Sequence, residues 1–173
     1  HGSYYRYDYD NPIFEDFDLT PDIMNESNLT QSLVVHDRLY APLKLDQKYT
    51  ITTLSSFDIQ NGEYEKSNSY IGNSSNQYAS VNALYLVSDD YPHFVDFRNS
   101  KHRSIIYKFN LDDNLTYSAK GSVYGRVLNQ FSLSEYDEVL RVVTTEGFSW
   151  LGDTNNLLYT LGQQNATLFT KGV

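Results

Sequence analysis

The 173-residue chain contains no cysteine. That removes disulfide frameworks, thiolate metal sites and cysteine nucleophiles, and leaves the redox compartment unread. Tryptophan and methionine occur once each, and proline four times. No stretch approaches the roughly 18 apolar residues of a membrane-spanning helix, and the N-terminus lacks the basic-then-apolar order of an export signal. Positive charge is also scarce: 13 Lys and Arg stand against 22 Asp and Glu, for a net charge of −9 and a pI near 4.7. A nucleic-acid backbone, which is held by clustered Lys and Arg, is therefore a poor partner. The only dense basic run is Lys101-His102-Arg103, which reads as a solvated turn.

Tyrosine is abundant instead, at 16 residues, within a hydrophobic content of 40%. Many half-apolar, β-favouring side chains and few helix formers point to an all-β chain with partly exposed strand faces. Its main organising feature is a repeat. Phe57-Asp58-Ile59, Tyr64, Gly72, Asn76-Gln77-Tyr78 and Leu84-Tyr85-Leu86-Val87 return as Phe109-Asn110-Leu111, Tyr117, Gly125, Asn129-Gln130-Phe131 and Leu140-Arg141-Val142-Val143. The offsets are 109 − 57 = 52, 117 − 64 = 53, 129 − 76 = 53 and 140 − 84 = 56. A strand-built unit repeating at about 40–50 residues is the signature of a propeller blade.

Short apolar runs separated by turn signals support a meander of strands. Tyr49 to Ile59 reads as a strand closed by Gln60-Asn61-Gly62, where Asn-Gly favours a tight hairpin. Glu63 to Ile71 returns from it. Arg103 to Leu111, the turn Asp112-Asp113-Asn114 and Leu115 to Val123 restate the pattern. A third copy opens at Leu157 to Leu161, turns at Gly162-Gln163-Gln164-Asn165 and returns at Ala166 to Thr170; Lys171-Gly172 matches Lys120-Gly121 at an offset of 51. Upstream, Leu33-Val34-Val35 and Leu39-Tyr40-Ala41 are expected to form a hairpin around His36-Asp37-Arg38. Residues 4–31, acidic, dotted with aromatics and interrupted by Pro12 and Pro21, are expected to be a loop or a docked tail.

These readings give an all-β partial propeller. Residues 1–46 comprise the acidic segment and the end of a first blade, with His1-Gly2-Ser3 read as a tag remnant. Residues 47–173 carry the repeats, at about 49–102, 103–154 and 155–173. About two full blades and two partial ones cannot close a ring of four to eight, so the chain is expected to be a piece of a longer propeller, with self-assembly through open blade edges a possible consequence.

The run Gly121-Ser122-Val123-Tyr124-Gly125-Arg126-Val127-Leu128-Asn129-Gln130-Phe131-Ser132-Leu133-Ser134-Glu135-Tyr136-Asp137, followed by Leu140 to Thr145, resembles the secreted C-terminal β-propeller domain family of bacteria and archaea. The resemblance covers roughly Thr50 to Val173, and residues 4–46 match no named pattern. It departs at Glu138, where the family tends to have glycine. It implies a secreted or cell-surface propeller and carries no activity with it. Gly121 and Gly125 would allow tight backbone passage. Gly125, Asn129, Gln130, Glu135 and Tyr136 read as blade-junction residues, with the Asn129 and Gln130 amides satisfying backbone groups between blades.

No catalytic set is legible. There is no G-x-S-x-G elbow, and adjacent carboxylates such as Asp89-Asp90 point to opposite faces of a strand. His36, His93 and His102 stand apart, in no metal-binding spacing, so no metal site is assigned. No cofactor is expected. Calcium is the ion best suited to the loop oxygens of Asp8-Tyr9-Asp10-Asn11 and Asp112-Asp113-Asn114, although neither follows the twelve-residue calcium loop. N-x-[ST] sequons fall at Asn25, Asn28, Asn73, Asn114 and Asn165. The longest insertion between matched strands, Tyr91 to Arg103, carries Tyr91, His93, Phe94 and Phe97 and is the first candidate for contact with a protein or glycan. The expected function is a binding scaffold. The alternative is a propeller hydrolase whose carboxylates gather at a channel mouth completed by further blades.

Overall fold

The computed structural model describes residues 22–24, 30–34, 39–40, 50–90, 102–111, 115–148 and 153–173. The described elements are strands, with one short 3-10 turn at Gln130–Ser132 and no α-helix. The chain forms two compact units, His1–Asn73 and Ser74–Val173.

In the first unit, β1 (Asp22–Met24) pairs antiparallel with β2 (Thr30–Ser32). Part of the segment expected to be a loop is thus a short hairpin. The expected hairpin around His36 is not formed by the described residues. Leu33 and Val34 lie outside strands, and β3 (Leu39–Tyr40) instead runs parallel to β5 (Tyr64–Ile71), which also pairs antiparallel with β4 (Ile51–Phe57). Parallel pairing over two residues lets a short strand close the edge that β5 would otherwise leave open. The β4–β5 turn uses Gly62 at φ +74°, the backbone that the Asn-Gly pair anticipates. The Ser67 hydroxyl donates to the Leu33 carbonyl, fixing that segment against the sheet.

The second unit holds two antiparallel four-stranded meanders. The first is β6 (Asn76–Ala79), β7 (Ala83–Asp90), β8 (Arg103–Asn110) and β9 (Tyr117–Tyr124). The second is β10 (Leu133–Tyr136), β11 (Val139–Phe148), β12 (Asp153–Gln164) and β13 (Thr167–Gly172). A parallel contact of Thr167 with Lys120 joins β13 to β9 and makes one eight-stranded sheet. At the opposite edges Asn76 Nδ2 donates to the Val127 carbonyl at 3.1 Å, and the Glu135 amide donates to the Tyr78 hydroxyl at 3.0 Å. The sheet therefore folds over on itself, and the core lies between the meanders. Tyr85, Val87 and Ile106 meet Leu140, Val142 and Leu161 there.

The repeat is visible in three dimensions as a bulge that returns in every hairpin of its type. The register shifts between Ser56 and Phe57, between Lys108 and Phe109, and between Thr160 and Leu161. Each shift leaves one residue of the partner strand unmatched: Glu65, Ser118 and Lys171, spaced 118 − 65 = 53 and 171 − 118 = 53. Lys171 is therefore the counterpart of Ser118, and its sequence match to Lys120 is off by two residues. An edge-to-face ring pair recurs at the first two bulges, with centroids 5.8 Å apart in both Phe57–Tyr64 and Phe109–Tyr117. Bulges twist a strand and re-aim the side chains beyond them, so one repeated in place is part of the unit's design.

Candidate functional site

Two places in the second unit gather polar chemistry. The first is the end of the β7–β8 hairpin, from which residues 91–102 depart. The strands stay in register to their last pair, Asp90 opposite Arg103. Asp89 and His102 face each other at 3.6 Å, with side chains only 11% and 22% exposed. Burial holds the His102 imidazole below its ordinary pKa; the Asp89 carboxylate opposes that shift and Arg126 reinforces it. The His102 carbonyl accepts from the Gly125 amide at 2.8 Å, and the Ser104 hydroxyl donates to the Gly125 carbonyl at 2.8 Å. Arg103 lies 4.7 Å from the centre of the Tyr124 ring and donates to the Tyr124 hydroxyl at 2.8 Å. Loop root and inter-meander link are thus tied together.

Gly125 has φ +88°, and a Cβ there would sit 2.7 Å from Thr144 Oγ1. Gly121 is constrained differently: a Cβ would lie 2.6 Å from Leu168 Cβ and from its carbonyl oxygen, where β9 meets β13. Asn129 does not bridge the meanders. Its side chain caps the 3-10 turn by accepting from the Phe131 amide at 2.9 Å, and both Asn129 and Gln130 are exposed. The bridging amide belongs to Asn76, which the sequence repeat aligns with Asn129 but which stands opposite Val87 in the sheet, the place that Ser132 takes beside Val143 in the second meander.

The second place is inside the core. The Tyr85 ring is buried, stacked on Tyr78 at 6.1 Å, with the Lys108 ammonium 5.8 Å from its centre. Its phenol pKa is raised strongly, first by burial and next by the neighbouring Glu135 carboxylate. One oxygen of that carboxylate, Oε2, is buried without a hydrogen-bond partner among the described residues. Tyr136 is exposed, and the Arg141 guanidinium lies over its ring at 5.4 Å. The Tyr85 phenol thus keeps its proton beside the Glu135 carboxylate of the other meander.

Sequence reasoning missed the His102–Asp89 pair because Asp89 lies on β7 and His102 just ahead of β8, and the two meet only through the register of β7 with β8. It missed the Tyr85–Glu135 pair because β7 and β10 are not paired and meet only where the two meanders pack. Tyr91, His93, Phe94 and Phe97 lie outside the described residues, as do Asp8, Asp10 and Asp112-Asp113-Asn114. Among the described residues no three His, Asp or Glu side chains converge as a metal site, and no helix is long and apolar enough to cross a membrane.

A family model described as a beta propeller domain matches residues 4–172. The chain belongs to the β-propeller domain family, and the match includes the N-terminal segment for which the sequence alone offered no counterpart. No curated protein and no solved structure gives a significant match.

Proposed function

We propose that this chain is part of an exported or surface-attached propeller that binds a protein or a glycan through the loop between β7 and β8. The observation behind the reading is a contrast between repeat counterparts. β7 and β11 are equivalent, as are β8 and β12, yet residues 91–102 connect the first pair and residues 149–152 the second. Closing the hairpin thus takes four residues in one copy, and the other spends twelve. Connections longer than closure needs, on a scaffold paired to its last residue, are where binding residues concentrate. Tyr91, His93, Phe94 and Phe97 supply aromatic and polar tips suited to a sugar face or to a protein hot spot.

The test is binding of the purified chain to a glycan array and to a panel of surface proteins. The triple variant Tyr91→Ser, Phe94→Ser, Phe97→Ser is expected to lose about tenfold or more in affinity while keeping its Tm. A ligand that binds both proteins equally would remove the loop from the account. Hydrolysis of a glycoside or ester by the isolated chain would favour the enzyme reading instead.

A further inference from the structure

The row of residues at the root of the β7–β8 loop departs from the repeat. Arg103 opens β8 and stands opposite Tyr124 at the end of β9, with Asp90 on its other side at the end of β7. By the offsets 103 − 51 = 52 and 124 − 71 = 53, the same two places in the first unit hold Ile51 and Ile71, which also face each other in register. In the second meander the place of Arg103 is taken by Asn155, opposite Glu146 (155 − 103 = 52 and 146 − 90 = 56). An aliphatic pair and an amide serve the fold there, so this end of the hairpin does not require a guanidinium beside a ring. The exchange occurs in the copy that also carries the twelve-residue connection, at the residue that follows it.

The pair has the chemistry of an anion subsite. Arg103 is exposed, and Tyr124 is 39% exposed. The guanidinium lies 4.7 Å from the ring centre and donates from Nη2 to the Tyr124 hydroxyl at 2.8 Å. Among the described residues no carboxylate pairs with it; the ion pair at this end of the hairpin joins Asp89 to His102 instead. A guanidinium carries five N–H donors in a flat fork that matches both oxygens of a carboxylate, and an adjoining ring offers its apolar body to the C–H groups of a sugar. The chain as a whole is acidic, with 22 Asp and Glu against 13 Lys and Arg, so an exposed cation without a carboxylate partner at the loop root selects locally for negative charge. We propose that Arg103 and Tyr124 form the specificity-determining subsite of the loop, and that the ligand is a glycan bearing carboxylates, as uronates and sialates do. A carboxylate takes the N–H groups of Arg103 that Tyr124 leaves free, and the sugar ring carrying it packs on Tyr124. By accepting from Nη2, the Tyr124 hydroxyl holds the fork in place before the ligand arrives. The inference rests on the reading of the β7–β8 loop as a ligand-binding element and names the chemistry of what that element binds.

The test is binding of the purified chain to oligogalacturonate and to sialyllactose, each as the free acid and as its methyl ester, which keeps the sugar and removes the charge. At least one acid is expected to bind about tenfold or more tighter than its ester. Arg103→Gln should abolish that preference at unchanged Tm, and Arg103→Lys should restore only part of it, because a point charge replaces the fork. Tyr124→Leu should weaken acid and ester alike. Affinity for the acid should fall with added salt and stay level between about pH 8 and 5, where guanidinium and carboxylate both keep their charge. A gain in affinity as the pH falls through the titration of His102 would assign the anion to that residue and overturn the proposal. So would acid and ester bound alike, or an acid preference that survives Arg103→Gln. The reading of the loop fails separately, if the triple loop variant binds as the parent does. No binding of either form, or capture of an acidic protein in their place, overturns the subsite as well.

Discussion

Asp137 and Glu138 both have positive φ, +51° and +59°, in the two-residue turn joining β10 to β11. That is the backbone of a type I′ turn, which favours Asn or Asp followed by glycine. Asp137 suits its place, whereas Glu138 holds a conformation that costs an ordinary residue roughly 1 kcal/mol. Glu138→Gly is therefore expected to stabilise the chain by about 0.5–1 kcal/mol, read as a higher midpoint in urea at unchanged slope. Gly121 carries the opposite expectation. Its φ is unexceptional, but a methyl group would collide with backbone as well as side chain of Leu168. Gly121→Ala should cost about 1–3 kcal/mol, and an equal midpoint for variant and parent would show that β9 and β13 are further apart than described.

At the scale of elements, one ring pair occurs in two environments. Phe57 with Tyr64 and Phe109 with Tyr117 share bulge, spacing and edge-to-face geometry, but Phe57 is 45% exposed and Phe109 only 1%. Phe109→Ala should cost about 3–5 kcal/mol by chemical denaturation, whereas Phe57→Ala should cost less than about half of that. Comparable losses would mean that the two hairpins are equally packed. These hairpins were legible in the sequence because Phe, Tyr and Gly recur at constant offset and Asn61-Gly62 marks a turn. The upstream hairpin was misread because Leu33-Val34 and Leu39-Tyr40 offer apolar runs too short to identify their partner. Pairing of Leu39-Tyr40 with Ser69-Tyr70 is set by a sheet edge thirty residues away in sequence, and local pattern carries no record of it.

Across the whole molecule, sequence periodicity was enough for the fold class but not for the faces. The counterparts Val87 and Val143 look alike in the chain, and only the stacking of meanders separates them. The polar contacts were illegible for a related reason: Asp89–His102 and Tyr85–Glu135 arise from register and from sheet packing. The first of them carries a pH expectation. His102 in the folded protein titrates below its usual value near 6.5, so the unfolded chain binds the proton more readily. Stability should hold above the unfolded pKa and fall as pH drops below about 6.5, toward the depressed folded value. A His102→Gln variant should lose that component of the Tm–pH profile, and an unchanged slope between pH 7 and 5 would count against it.

The claim on which the rest stands is that the two meanders pack through unlike faces, Tyr85, Val87 and Ile106 of the first against Leu140, Val142, Tyr159 and Leu161 of the second, so that Val87 is in the core and its counterpart Val143 is not. Val87→Ala and Val143→Ala make the same chemical change at counterpart positions, and their unfolding free energies in urea compare the two faces directly. The packing described predicts a loss of about 2 kcal/mol for Val87→Ala and of about 0.5 kcal/mol or less for Val143→Ala. Equal losses, or a larger one at Val143, would contradict it.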